Sequence, residues 1–401
     1  MNTVIQEPSA KYLLARDSYR QTDVGLIPQD WSVNEMRQIG SLSKGRGLLK
    51  EDIETSGSVP AIPYTALYTD FSEVVDYARI KWFVDDIAGT IVVNEPCVLI
   101  ASSSNMAANT GKATALPGTL PVAIGREVII FRTNHSAVFF SYLLSTASYR
   151  KRTLVLARGT TIKHMYPATF ESYRVAVPPP AEQLAITDAL GDVDALIAGL
   201  ERLIAKKRDI KQATMQQLLT GQTRLPGFSG EWASVQLGDL LDVCHGKNQH
   251  AVEVPDGPYP ILATGGQIGT ASQPLHDLPS VLIGRKGTIN KPQYMDKPFW
   301  TVDTLFYCDV CQPNSAKFLY YRFLMVDWMQ YNEASGVPSL NARTIERIEI
   351  ECPDPVEQTA IATVLSDMDA DLSALEARLA KTRAIKQGMM QELLTGRTRL
   401  V

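Results

Sequence analysis

Cysteine is scarce: there are five in 401 residues, Cys97, Cys244, Cys308, Cys311 and Cys352. An odd, scattered set in so long a chain argues against a secreted disulfide scaffold and fits a reduced, cytoplasmic compartment. No apolar run approaches the length of a membrane span; residues 138–144 are typical of what occurs. Residues 1–12 are polar, so no signal peptide is expected. Excess positive charge is lacking too, with a formal net charge of −4. Residues 1–177 hold about 18 basic and 16 acidic side chains, and residues 226–351 about 9 and 14. Affinity for nucleic acid would therefore come from local patches or from a partner.

Catalytic signatures are missing as well. The amino-methyltransferase tetrapeptide (Asp or Asn, Pro, Pro, aromatic), the phosphate-cradling G-x-x-x-x-G-K-[ST] loop and the G-x-S-x-G elbow do not occur. Gly265-Gly266-Gln267-Ile268-Gly269 is a turn signal. Asp209-Ile210-Lys211 has a nuclease-like spacing, but its repeat counterpart is Ala384-Ile385-Lys386, so it reads as a solvated helix face. Asp192 and Asp194, with copies Asp367 and Asp369, are two apart on a helix and diverge, which speaks against a metal pair. Cys308-Asp309-Val310-Cys311 is the one metal-like spacing. Cys244, His245 and Cys352 offer no second spaced pair for a closed zinc site, so a strand end is expected there and no metal.

What the chain does have is one stretch written twice. The first copy opens Pro178-Pro179-Pro180 with Glu182-Gln183 and closes Leu218-Leu219-Thr220-Gly221 with Thr223-Arg224-Leu225. The second opens Pro353-Asp354-Pro355 with Glu357-Gln358 and closes Leu393-Leu394-Thr395-Gly396 with Thr398-Arg399-Leu400. At an offset of about 175 residues, about 27 of 48 positions are identical, an internal repeat. Each copy carries a narrow apolar seam at alternating four- and three-residue steps: Ile186, Leu190, Val193, Ile197, Leu200 and Ile204, then Ile361, Leu365, Met368, Leu372, Leu375 and Leu379. That spacing predicts a coiled-coil helix rather than a helix lying on a globular core. Proline at the start and Gly221 or Gly396 after the end bound each helix. At 1.5 Å per residue each would span roughly 57 Å. The nearest partner for one helix is the other. An antiparallel pair would hold the globules at opposite ends about a pseudo-two-fold axis, though a parallel pair would show the same seam.

The segments between the helices repeat more weakly. The first opens Gly25-Leu26-Ile27-Pro28, with Trp31 and Ile39-Gly40 beyond. The second opens Leu225-Pro226-Gly227, with Trp232 and Leu237-Gly238. Each then has a glycine- and lysine-bearing turn, Ser43-Lys44-Gly45-Arg46-Gly47 and His245-Gly246-Lys247-Asn248-Gln249. Short strand-like runs follow: Ile62-Pro63-Tyr64 matches Tyr259-Pro260-Ile261, Val98-Leu99-Ile100 matches Val281-Leu282-Ile283, and Val128-Ile129-Ile130-Phe131 matches Thr304-Leu305-Phe306-Tyr307. An amphipathic helix is expected at 137–149 and 317–331, then a final strand at 173–177 and 348–350. The expected architecture is mixed α/β. Residues 1–177 form one globule, with an extended or helical arm at 1–24, followed by a helix at 178–225. Residues 226–351 form a second globule of the same fold, followed by a second helix at 352–401. A shared frame with divergent contents suits a pair of recognition modules.

This order, with its P-x-P-x-E-Q openings and Leu-Leu-Thr-Gly ends, resembles the specificity subunit of type I restriction–modification enzymes over essentially the whole chain. The resemblance implies that each globule is a target recognition domain for one half of a bipartite double-stranded DNA site. It implies that the helices set the unread gap, and that two methyltransferase subunits dock on the chain. Those subunits would methylate adenine N6 with S-adenosylmethionine. Motor–nuclease subunits using ATP and Mg would join in a restricting complex. The chain itself would hold no cofactor and no catalytic residue. Two alternatives remain: a coiled-coil adaptor that binds protein and no DNA, and a self-contained enzyme.

Turn-borne Arg, Lys, Asn and Gln suit purine edges and phosphates. In the first globule these are Lys44 and Arg46, Arg150-Lys151-Arg152, and Lys163-His164. In the second they are Lys247-Asn248-Gln249, Arg285-Lys286, and Asn341 with Arg343. Tyr64 and Tyr149 could stack or pack. The neighbouring glycines would let backbone approach phosphate. The acidity of the second globule suggests that partner subunits supply much of the positive surface, and that the chain alone binds DNA poorly.

Overall fold

The computed structural model describes residues 18–48, 50–106 and 109–400. Most of the arm expected at 1–24 lies outside them. Within them Tyr19–Thr22 is a strand, paired antiparallel with Gly25–Pro28. Two compact units are present, one of residues 1–199 with 379–401, the other of residues 200–378. The division falls within the two long helices, Pro180–Leu219 and Pro355–Leu393, so each unit contains half of each helix.

In the first unit an antiparallel sheet runs in the order Ala113–Leu116, Cys97–Ala101, Val128–Thr133, Gly40–Lys44. A second sheet orders Phe83–Val84, Val59–Ile62, Val122–Ile124, Val92–Val93, with its middle pair parallel. Strand Cys97–Ala101 is buried throughout. Its alternate side chains enter two cores: Val98 and Ile100 join Phe139, Phe140 and Ile186, while Leu99 and Ala101 join Leu67, Phe71 and Ile124. A strand covered on both faces is apolar without alternation.

The second unit repeats this order. Leu241–His245, Leu305–Val310, Ser280–Gly284 and Gln293–Met295 form the antiparallel sheet, and Tyr259–Ala263 pairs parallel with Trp300–Thr301 in the other. The register moves two of the expected correspondences. Ala61 and Ile62 pair with Ala123 and Ile124 as Ile261 and Leu262 pair with Trp300 and Thr301. Pro60, not Pro63, therefore matches Pro260. Val128 faces Ala101 as Leu305 faces Gly284, so Val128 matches Leu305, one residue beyond the expected Thr304. In short runs that are apolar on both faces, alternation does not mark the register, so slips of this size leave no trace in the sequence.

The helix boundaries follow local chemistry. Each long helix begins on a proline, and Gly221 and Gly396 behind them take φ of +71° and +72°, the left-handed stop that favours glycine. Ser136 and Ser315 cap the preceding globule helices, Ala137–Ser145 and Ala316–Met325, accepting from Phe139 N and Phe318 N. The first unit has an additional helix, Ala147–Leu156, where one continuous helix to 149 was expected.

Inside each unit the halves of the long helices run antiparallel. In the first, Ile186 and Leu190 lie in one core with Met390, Leu393 and Leu394, and Lys386 Nζ meets Asp194 at 2.7 Å. In the second, Ile361 and Leu365 share a core with Met215, Leu218 and Leu219, and Lys207 meets Asp371 at 3.1 Å while Lys211 meets Asp369. Leu200, Ile204 and Leu372 are buried, and Val193, Ile197, Met368, Leu375 and Leu379 are half-buried.

The repeated motifs meet in space. Glu182, 1% exposed, accepts from Trp31 Nε1 at 2.8 Å and from both Nε and Nη2 of Arg399 at 2.6 and 2.8 Å. Glu357 does the same for Trp232 Nε1 at 3.2 Å and for Arg224 at 2.6 and 2.5 Å. Gln183 and Gln358 each donate to a carbonyl in the proline turn, Pro178 or Pro353, and accept from the main-chain N–H of the capping Ser136 or Ser315. The E-Q pair thus clamps the start of each helix to its globule, and the arginine closing the other helix completes the clamp.

Lys211 and Lys386 do not sit on a solvated face. Lys211 is half-buried, paired with Asp369 and 5.6 Å from the ring centroid of Tyr321, whose hydroxyl donates to Asp369 at 2.7 Å. Lys386 repeats this with Asp194 and Tyr142 and adds Glu73 at 2.6 Å. Burial lowers the Lys386 pKa, but the two carboxylates outweigh it and hold it above the ordinary value. Asp194 and Asp369 are therefore polar ties between elements, and no cluster suited to a metal occurs among the described residues.

Candidate nucleic-acid interface

One edge of each unit's antiparallel sheet gathers the candidate residues. In the first unit, strand Gly40–Lys44 ends there, Cys97–Ala101 ends there, and Val128–Thr133 begins there. The second unit matches, with Leu241–His245, Ser280–Gly284 and Leu305–Val310. The shared register makes Lys44 the counterpart of His245, Gly45 of Gly246, and Arg46 of Lys247.

The glycines at this edge serve the sheet. A Cβ at Gly45 would lie 2.1 Å from Gly125 O, and one at Gly246 would lie 2.0 Å from Val302 O. Both glycines are buried against the neighbouring chain, so their freedom is used there and not on phosphate. Lys44 is half-buried and paired with Glu127 at 3.0 Å. Burial pushes the Glu127 carboxyl up, but hydrogen bonds from Lys44 and Ser102 outweigh it and hold it below its usual value. Arg46 is exposed. Lys163 and His164 form a short strand against Ser103–Ser104, and Met165 N donates to Ser102 O at 2.7 Å. They therefore join the same edge.

The expected Arg150-Lys151-Arg152 cluster separates on its helix, because residues two apart face different ways. Arg150 turns inward and donates to Thr110 O at 3.0 Å, and burial lowers its pKa. Arg152 stacks on Tyr173, 4.2 Å from the ring centroid, away from the edge. Lys151 is exposed. Tyr149 is 3% exposed and packs on Phe170 and Tyr173, so it does not stack on a ligand. Tyr64 is half-buried beside a surface cavity.

In the second unit Lys247 and Asn248 are exposed and Gln249 is half-buried. Asn248 Oδ1 accepts from His250 N at 2.9 Å, shaping the turn. Lys286 bridges to Ser339 in an antiparallel pairing, Gly287 N donates to Pro338 O, and Leu340 N donates to Arg285 O. Residues 285–287 and 338–341 thus form one layer carrying Arg285, Lys286 and Asn341. Asn341 Oδ1 caps the helix Ala342–Glu346 through Arg343 N at 3.0 Å, and Arg343 itself is exposed. Arg285 Nη1 donates to Asp303 O at 3.2 Å.

Sequence reasoning passed over Arg126. It occupies the turn Gly125-Arg126-Glu127 at the same edge, exposed and without a hydrogen bond or ion pair among the described residues. The signal was present: a glycine and an arginine between two apolar runs. Cys308 is buried in a strand and Cys311 is exposed at its end, so the metal-like spacing is indeed a strand end. No helix among the described residues is long and apolar enough to cross a membrane.

The fold and its edge define a chain that carries one recognition-type module twice, with different side chains at equivalent places. Residues 28–207 and 229–384 match the type I restriction modification DNA specificity domain. The MjaVIII specificity subunit of a type I restriction enzyme from Methanocaldococcus jannaschii is 22% identical, over 93% of this chain and 94% of its own length. The S subunit of a type I restriction–modification system from M. genitalium superimposes with a TM-score of 0.63 at 16% identity, covering 90% of this chain and 96% of that one. A chain from a structure of type I system complex assembly and conformational transition gives 0.54 at 14% identity, over 93% and 99%. The chain belongs to the DNA specificity subunits of type I restriction–modification systems.

Proposed function

We propose that each unit reads one half of a bipartite double-stranded DNA site, and that the two long helices set the unread gap between the halves. The observation that carries this reading is one fold used twice with different residues at one edge: Lys44 against His245, Arg46 against Lys247, Arg126 against Asp303. A common frame presents the loops, and the loops specify the bases. Helices of 40 and 39 residues, about 60 Å each at 1.5 Å per residue, suit a ruler.

In this reading two adenine methyltransferase subunits dock on the chain and methylate adenine N6, with S-adenosylmethionine bound in those partners. Motor–nuclease subunits with ATP and Mg complete a restricting complex. The chain itself is a non-catalytic recognition subunit of the cytoplasm. Support for helix docking comes from Leu203 and Ile210, which lie seven residues apart on the first long helix within the second unit and are 41% and 44% exposed. Such a pair suits a partner helix or groove.

The test is a map of N6-methyladenine in the host genome with and without this gene. One split motif with an unread centre is expected to lose methylation. An unchanged map, while a partner methyltransferase is expressed, would contradict the recognition role and leave the adaptor reading.

A further inference from the structure

The turn that carries Arg126 joins strands Val122–Ile124 and Val128–Thr133, and everything around the arginine is pinned. Gly125 N donates to Ile62 O at 3.0 Å, and Gly125 O accepts from Val128 N at 3.2 Å. Glu127 O accepts from Ser102 N at 2.9 Å. The Glu127 carboxylate takes Lys44 Nζ and Ser102 Oγ, each at 3.0 Å. Arg126 alone in the turn is left exposed, with no partner among the described residues. It borders a cavity of about 760 Å³ whose other walls include Leu48, Ile53, Tyr64 and Trp82.

We infer that Arg126 reads a guanine in the half-site of the first unit, donating its guanidinium to O6 and N7 in the major groove. The inference rests on the recognition reading above and deepens it. Among base edges, the O6 and N7 pair of guanine is the one a planar fork of donors matches best. A reader must be held in place by its support, and this turn is fixed on both sides by sheet hydrogen bonds. The second unit strengthens the assignment by contrast. At the same register position it carries Asp303, whose side chain is 74% exposed and whose carboxylate lies 4.0 Å from Arg285 Nη1. A carboxylate accepts from cytosine N4 and repels phosphate, so this turn varies in the way a base-reading position would and a backbone anchor would not.

The test uses the full chain purified with its methyltransferase partner and duplexes bearing its site, each guanine in turn replaced by 7-deazaguanine. For the native complex, one guanine in one half-site is expected to cost about 10-fold or more in affinity when N7 is removed. Arg126→Ala is expected to lose a similar factor on the natural site and to be indifferent to that same replacement. Arg126→Lys, which keeps the charge, is expected to recover little, because the fork is lost. The guanine assignment is overturned if Arg126→Ala still feels 7-deazaguanine at every position. It is equally overturned if that variant weakens all duplexes alike, as a phosphate contact would. A native complex with no preferred duplex would sink the recognition reading itself.

Discussion

At the scale of single residues, the repeated motifs act as clamps. A carboxylate as buried as that of Glu182 is tolerated only when paired. Its partners are Arg399, which also holds Asp30 at 3.0 and 2.7 Å, and the Trp31 indole. The hydrogen bonds from Arg399 hold the Asp30 carboxyl below its ordinary range against a small opposing effect of burial. Removing one member of a buried pair strands the other. Glu182→Ala is therefore expected to destabilise the first unit by about 3 kcal/mol, read as a lower denaturant midpoint for that unit; a loss under about 1 kcal/mol would show that the clamp is ornamental. The glutamates were legible as motif letters and not as clamps, because Arg399 and Glu182 lie 217 residues apart. Lys211 was misjudged for the same reason: its partner Asp369 is 158 residues away, and local spacing records no such pairing. Arg126 carries a local signal, a glycine and an arginine between two apolar runs, but its place at the sheet edge is set by pairing with distant chain.

At the scale of elements, helices were more legible than strands. The seam, the proline starts and the glycine stops are all local features, and they located both long helices. The strands were found as runs but misaligned between the units by one or three residues, since pairing is settled by hydrogen bonds to distant chain. The long helices also carry the geometric part of the proposal. A seven-residue insertion at the same point of both repeats preserves the seam and lengthens each helix by about 10.5 Å, close to three base pairs at 3.4 Å each. The methylated motif is expected to keep both half-sites and change its unread gap by about that amount. An unchanged gap would refute the ruler while leaving the clamps and the readers untouched.

At the scale of the molecule, the chain is two units of one fold, and each unit takes half of both long helices. The repeat made this expectation possible from sequence, because the same marks bracket both globules. The edge residues differ between the units, Lys44 against His245 and Arg126 against Asp303, so in the proposed reading specificity should travel with a globule. The most direct measurement replaces residues 226–351 with a second copy of residues 25–177 and maps N6-methyladenine with the methyltransferase partner present. The account predicts a new methylated motif in which the word read by the first unit occurs in both halves, with the second unit's word gone. A motif that retains the original second half, or that loses both words while the protein stays folded and assembled, would contradict the claim that each unit carries its own half-site.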